Sequence, residues 1–237
     1  MKLPLFFKAD LQDNAASVEL DEFTSKHIIQ VLRMQAGEQL QLTNGRGSLV
    51  TASICNDNRK KCVVTVQRKI NSIKPLSKIS IAISPVKNNT RFEWFLEKAT
   101  EIGVAEIIPM LCTRTEKQHF KWDRMNGILV SAMLQSQQLW LPVLREPVKF
   151  NEFVMANLPQ QKFIAHCEEA GEKKQLSQQI KGAQNETVIL IGPEGDFTHQ
   201  EITLALQHGF LPVALGNTRL RTETAGIVAA ALLCNAY

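Results

Sequence analysis

The rhythm of apolar and polar positions changes near residue 79. Before that point, apolar residues recur with the period of two expected of half-buried strands. Leu3 to Phe7 is a short apolar run. Leu40-Gln41-Leu42-Thr43 alternates and runs into Asn44-Gly45, a strong hairpin signal. Ser48 to Ile54 resumes the alternation, Asn56-Asp57-Asn58 marks a second turn, and Cys62 to Val66 reads as a further strand. One helix interrupts these strands. Thr24 or Ser25 can cap it, Ile28, Ile29, Val31 and Leu32 supply an apolar face, and it ends near Arg33, before Gly37. Residues 1–70 thus predict a small β-barrel with one helix. The stretch from Lys69 to Lys78 holds Asn71, Ser72, Pro75 and Ser77 with little apolar content, and residues 71–78 are the predicted linker.

From Ile79 onward, strands and helices alternate. Expected strands are Ile79 to Ile83, Glu106 to Met110, Lys162 to Ala165, Val188 to Ile191 and Pro212 to Leu215. Expected helices are Phe92 to Ile102, Trp122 to Gln138, Lys173 to Ile180, Glu201 to Leu206 and Glu223 to Leu233. This order predicts an α/β domain over residues 79–237, with a parallel sheet covered on both faces. The last helix carries Ala225, Ile227, Val228, Ala229, Ala230, Ala231, Leu232 and Leu233 and is apolar nearly all round. Such a helix belongs in a core or against a second subunit.

Composition narrows the class only slightly. Apolar content of 44% and charged content of 21% suit a chain with a sizeable core, and a net charge of +4 permits nucleic-acid binding without demanding it. The five cysteines are scattered and contain no C-x-x-C, so neither a zinc site nor a disulfide framework is expected. No His/Cys/Asp cluster has metal-ligand spacing. The start of the chain has too short an apolar core for a signal peptide, and the C-terminal apolar run is shorter than a bilayer span, so the cytoplasm is the expected location.

Candidate chemistry collects after the last two major strands. Ile191-Gly192-Pro193-Glu194-Gly195-Asp196 follows one, and Leu215-Gly216-Asn217-Thr218-Arg219-Leu220-Arg221 follows the other. Neither loop is a P-loop or a G-x-G-x-x-G fingerprint. Thr198 with Glu201 fits a capping box, and Thr222-Glu223-Thr224 suits a second helix start. Open α/β sheets bind ligands beyond the carboxyl ends of their strands, so two such loops could share one site, although the glycines suit ordinary turns equally well. Arg219, Arg221 and Glu223 read either as a solvated cluster or as a cradle for a phosphate or developing oxyanion. His166 ends a third strand and could touch the same ligand. Lys87 to Arg91 is a basic loop after Ile83 that could contact substrate, or simply cap a helix through Asn89 or Thr90. His27, Arg33 and the turn Arg59-Lys60-Lys61 could meet a nucleic-acid backbone, as exposed basic residues generally can. Gln135-Ser136 lies on a polar helix face.

Taken together, these segments resemble the RsmE family, SPOUT-class 16S rRNA (uracil-N3)-methyltransferases. Ile191 to Gly195 and Leu215-Gly216…Leu220 to Ala225 are similar to its two signature loops. His27 to Arg33 resembles its H-x-x-x-V-L-R helix, Lys98 to Val104 its K-x-T-E-L-G-V segment, and Ala132 to Ser136 its A-x-x-Q-S helix. The matches run along nearly the whole chain in the family's order. The sequence departs from the pattern at three places. Leu5 precedes Phe6-Phe7 where an Arg is usual, Gln137-Gln138 follow Gln135-Ser136 where an Arg is common, and Asp196 stands in place of a further Gly.

The resemblance implies a PUA-like RNA-binding domain and a SPOUT domain with a deep trefoil knot, assembled as a homodimer acting on the small ribosomal subunit. It implies S-adenosylmethionine held by His166, Ile191, Gly192, Pro193, Glu194, Gly195, Leu215, Gly216, Leu220, Arg221, Thr224 and Ala225. Arg221, Glu223 and Glu194 become the catalytic candidates. Arg33, His27, Lys60, Lys87, Arg91, Gln135 and Ser136 become the RNA contacts. The rival readings are a related SPOUT enzyme acting on ribose 2′-oxygen or transfer RNA, a non-catalytic RNA-binding assembly factor, and a nucleotide-binding metabolic enzyme.

Overall fold

A computed structural model describes residues 3–12, 14–116, 120–168, 173–180 and 186–236. Its contacts divide the chain into two compact units, residues 1–74 with 133–141, and residues 75–132 with 142–237. A segment of some nine residues from the middle of the chain (133–141) therefore packs with the N-terminal unit rather than with its sequence neighbours.

The first unit is a five-stranded sheet of order β1-β3-β4-β5-β2. Its strands are β1 (Leu5–Phe7), β2 (Ser17–Glu19), β3 (Gln39–Thr43), β4 (Ser48–Asn56) and β5 (Val63–Asn71), with helix α1 (Glu22–Lys26) between β2 and β3. β3 and β4 form the hairpin expected at Asn44-Gly45, and β1 joins β3 in parallel. Register shifts between β4 and β5, at Thr51/Ala52 and Ile54/Asn56, bend the pair, as bulges do. The alternating strand residues Leu40, Leu42, Val50, Ala52, Ile54 and Val64 turn to one core with Leu20 and Ile28.

The helix of this unit departs from its sequence pattern in two ways. Asp21, not Thr24 or Ser25, is the N-cap: its Oδ1 accepts from the Thr24 backbone at 2.9 Å. Ser25 is buried instead, donating to the Leu20 carbonyl and accepting from the Cys62 N–H at 2.9 Å. After Lys26 the coil widens into a π-helical turn, His27–Val31. The wider turn shifts the phase of the apolar stripe. Ile28 stays buried, whereas Val31 and Leu32 are turned out to exposures of 69% and 44%.

The second unit carries an eight-stranded sheet, and among the described residues all its strand pairings are parallel. Its elements are β6 (Ile79–Ile83), α2 (Asn89–Ile102), β7 (Glu106–Leu111), α3 (Trp122–Gln135, whose end belongs to the first unit), β8 (Val143–Leu144), β9 (Val148–Lys149), α4 (Phe150–Val154), β10 (Gln161–Ala165), β11 (Lys174–Gln175), α5 (Leu176–Gln179), β12 (Thr187–Ile191), α6 (His199–Gln207), β13 (Leu211–Ala214) and α7 (Thr222–Cys234). Strand order is β11-β13-β10-β12-β6-β7-β8, with β9 also on β7. Every residue of β6 and β12 is buried, which explains why both are apolar apart from Ser80 and Thr187.

The sequence pattern assigns no element between Gln138 and Lys162, yet β8, β9 and α4 form there. Two-residue strands and a five-residue helix are too short to show a period. The helix expected from Lys173 to Ile180 shrinks to α5, behind the two residues of β11. Helices pack on both faces. α4 and α6 meet over one, with Phe150, Phe197 and Phe210 on Ala82, Ile164 and Leu190. α2 and α7 meet over the other. Gly226 permits that second contact, since a Cβ there would lie 2.6 Å from the Phe95 ring.

Candidate functional site

Strands β12 and β6 are neighbours, but their connections leave in opposite directions, one through α2 to β7 and the other through α6 to β13. Such a switch opens a crevice beyond the carboxyl ends of the strands. Two adjoining cavities lie there. One, of about 380 Å³, is lined by Ile191, Gly192, Pro193, Glu194 and Asp196 of the first glycine loop, by Arg219 to Thr222 of the second, and by Arg91 at the start of α2. The other, of about 500 Å³, is lined by His166 and Lys173 on one side and by residues 213–220 on the other. Ala165, Cys167, Arg219, Leu220 and Ala225 wall both.

The first loop is held from several sides. Phe197 is buried under it, with its ring so near Gly192 that a Cβ there would lie 3.0 Å away. The expected capping box is present: Thr198 Oγ1 accepts from the Glu201 N–H, and Glu201 accepts from the Thr198 N–H at 2.8 Å. Asp196 has a left-handed φ of 62°, a conformation that Gly adopts freely and Asp tolerates. Its carboxylate accepts from the Cys167 N–H at 2.8 Å, which ties the end of β10 to this loop. In the second loop Gly216 has φ 141°, again in glycine's territory. Arg221 is the N-cap residue of α7 without a side-chain cap, so its exposed guanidinium is available to the cavity.

The charges here form one cluster. Arg91 Nη1 donates to Glu194 Oε1 at 3.5 Å, and Arg91 Nε lies 3.7 Å from Glu223 Oε1. Glu223 is 5% exposed, and its second oxygen has no partner. His166 is 8% exposed with Nδ1 unpartnered. Burial, and then the positive charge of Lys173, hold the His166 imidazole below its ordinary value, so it stands neutral at pH 7. The unpaired His166 nitrogen in the cavity wall has the capacity for one further hydrogen bond.

Of the residues singled out in the sequence, His166, Ile191, Gly192, Pro193, Glu194, Leu215, Gly216, Leu220, Arg221 and Ala225 line these cavities. Gly195, Thr224 and Glu223 do not, although Glu223 touches the site through Arg91. Arg91, expected to contact RNA, lines the first of these cavities. Lys87 stands exposed and pairs with Glu116 at 3.1 Å. His27, Arg33, Lys60, Gln135 and Ser136 belong to the first unit, and Arg33 adopts φ 55° just after the π turn. Sequence reasoning missed Lys173, Cys167 and Arg114. Arg114 follows β7 and donates to the Gly195 carbonyl at 2.7 Å. A lone basic residue 81 positions from its partner leaves no local signal in the sequence. Among the described residues, no group of three or more His, Cys, Asp or Glu could hold a metal, and no helix is long and apolar enough to cross a membrane.

Comparison with known proteins points the same way. Residues 72–234 match a family model described as an RNA methyltransferase domain, and residues 20–67 match one described as an RNA methyltransferase PUA domain. A ribosomal RNA small subunit methyltransferase E from Synechocystis sp. is 30% identical over 223 residues, spanning 91% of this chain and 72% of that protein. The crystal structure of a probable rRNA-methyltransferase from Porphyromonas gingivalis superposes with a TM-score of 0.90 at 40% identity, covering 98% of this chain and 97% of the other. A ribosomal RNA small subunit methyltransferase E from Neisseria gonorrhoeae, solved with S-adenosyl methionine bound, has a TM-score of 0.87 at 26% identity, covering 98% and 97%.

Proposed function

We propose, for a chain that belongs to the ribosomal RNA small subunit methyltransferase E family, that the paired cavities hold S-adenosylmethionine and the uracil it methylates at N3 in 16S ribosomal RNA. The observation that carries this reading is the meeting of both glycine-bearing loops at one crevice, with an arginine and a carboxylate facing into it.

The site residues suit the donor. Unpartnered His166 Nδ1 offers a hydrogen bond to a polar group of the ligand, and the backbones of residues 191–195 and 215–220 offer close approach. When bound, S-adenosylmethionine supplies an electrophilic methyl on a sulfonium. The nitrogen of the acceptor needs its own preparation, because uracil N3 carries a proton and its lone pair is free only as that proton leaves. Glu194, which lines the cavity, accepts the proton. Arg221 stabilises the charge that spreads onto the uracil carbonyl oxygens, as donors aimed at a developing oxyanion do. Arg91 holds Glu194 and Glu223 in place. The target base must leave any stack to reach this crevice.

The N-terminal unit grips RNA through His27, Arg33 and Lys60, with Lys87, Gln135 and Ser136 as further contacts. Residues 71–78 connect it to the methyltransferase domain, whose chain threads as a trefoil knot. Two copies pair through the apolar helix α7, and the enzyme works in the cytoplasm. The test is transfer of tritiated methyl to small ribosomal subunits that lack the modification, followed by nucleoside identification. 3-Methyluridine is the expected product, and label in a ribose 2′-O-methyl or in transfer RNA alone contradicts it.

A further inference from the structure

We infer that Arg114 is a positioning residue for the methyl donor, acting through the backbone of the first glycine loop; this rests on the reading that the loop binds S-adenosylmethionine. Two hydrogen bonds fix the peptide unit between Gly195 and Asp196. Its carbonyl accepts from Arg114 Nη1 at 2.7 Å, and its N–H donates to the Pro193 carbonyl at 2.9 Å. With both ends committed, that plane cannot flip, and a flip is the motion that would relieve the left-handed φ of 62° at Asp196. Arg114 also packs its stem on the loop, since a Cβ on Gly195 would lie 3.3 Å from Arg114 Cδ.

The anchor of Arg114 is itself rigid. Its neighbour Thr113 donates from N and from Oγ1 to Glu201 Oε1, at 2.7 and 3.1 Å. Glu201 is 5% exposed and is the same carboxylate that closes the capping box of α6. The turn after β7 is thereby tied to the far end of the glycine loop, at the Gly195 and Phe197 carbonyls, and to α6 at Glu201. Arg114 lines neither cavity. Its effect reaches the ligand only through the loop's conformation, so it belongs to donor affinity and not to the chemical step.

The experiment uses the full chain with Arg114→Met, which keeps a stem of similar reach but no donor, and Arg114→Lys, which keeps a charged donor. Calorimetry with S-adenosylmethionine gives Kd, and methyl transfer to small subunits gives kcat and KM separately. For Arg114→Met the expected result is a rise of about tenfold or more in Kd and in KM for the donor, the scale of losing one charge-assisted hydrogen bond. At saturating donor, kcat stays within about twofold, and Arg114→Lys recovers most of the affinity. A donor Kd unchanged in Arg114→Met overturns the inference. So does a fall in kcat at constant KM, which would make Arg114 part of the chemistry, and so does a variant that fails to fold, which would make it structural. Wild-type protein that binds no S-adenosylmethionine would instead sink the donor reading on which this rests.

Discussion

At the amino ends of the parallel strands, Glu106 is buried and fully engaged: Lys78 and Ser80 each reach Oε2 at 2.9 Å, and Arg145 reaches Oε1. A cavity of about 690 Å³ opens beside it, larger than either cavity at the carboxyl ends. At the carboxyl ends the space is smaller, but polar atoms are left waiting: His166 Nδ1 and Glu223 Oε2 are buried without partners. Volume and unmet polar atoms thus favour opposite ends of the sheet. An unmet buried polar atom costs folding about 1–3 kcal/mol, and two such atoms stand beside the glycine-bearing loops, which suits a ligand that would complete their bonding.

The largest expected effect lies at the carboxyl end. Replacing Arg221 by Ala should lower kcat for methyl transfer by about 10²–10³, the scale of removing one oxyanion donor, with little change in thermal stability because the side chain is exposed and caps nothing. Transfer at the wild-type rate would remove Arg221 from the chemistry.

Which parts of this site the sequence could announce follows from the range of the interactions. Loop backbones, the capping box and the buried runs of β6 and β12 are local, and they stand close to where the pattern puts them. The partnership of Arg114 with Gly195, of Asp196 with the Cys167 N–H, and the placement of Arg91 between two carboxylates join residues far apart in the chain. No periodicity encodes them. The π turn after Lys26 is local, yet it escaped the pattern because a helical stripe assumes 3.6 residues per turn, and the widened coil turned Val31 and Leu32 outward. Asp196 adopts a left-handed conformation that glycine takes freely, and its carboxylate adds a tie to the Cys167 N–H that glycine could not make.

A middle-sized effect should separate the two ends in the opposite sense. Burial by itself would raise the Glu106 carboxyl, but the hydrogen bonds from Lys78, Arg145 and Ser80 outweigh it and hold it below its ordinary value. The ionised form is therefore bound more tightly in the folded chain. That stability is complete above the unfolded value near 4.5 and is lost as pH falls through the lower folded value. Glu106→Gln should cost about 1–3 kcal/mol in denaturant unfolding at pH 7 and flatten this acid limb, while leaving donor affinity within about twofold. A large loss of donor affinity would join the two ends that the comparison separates.

The smallest effect belongs to His166. Its depressed value means the unfolded chain takes up a proton first as pH falls, so this contribution is intact above about 6.5 and declines below it. His166→Gln should remove that decline and weaken S-adenosylmethionine binding by about five- to tenfold at pH 7.5, roughly one hydrogen bond, as read by calorimetry. Unaltered affinity would mean that the orphaned nitrogen faces no part of the donor.

Hydrogen exchange with and without saturating S-adenosylmethionine asks the central question in one measurement, because it reads both ends of the sheet in the same sample. The predicted result is added protection over residues 165–168, 191–197 and 214–222, with residues 78–80, 106–108 and 143–146 unchanged. Protection centred on the amino-end residues, with both glycine-bearing loops exchanging as before, would contradict the assignment of the site.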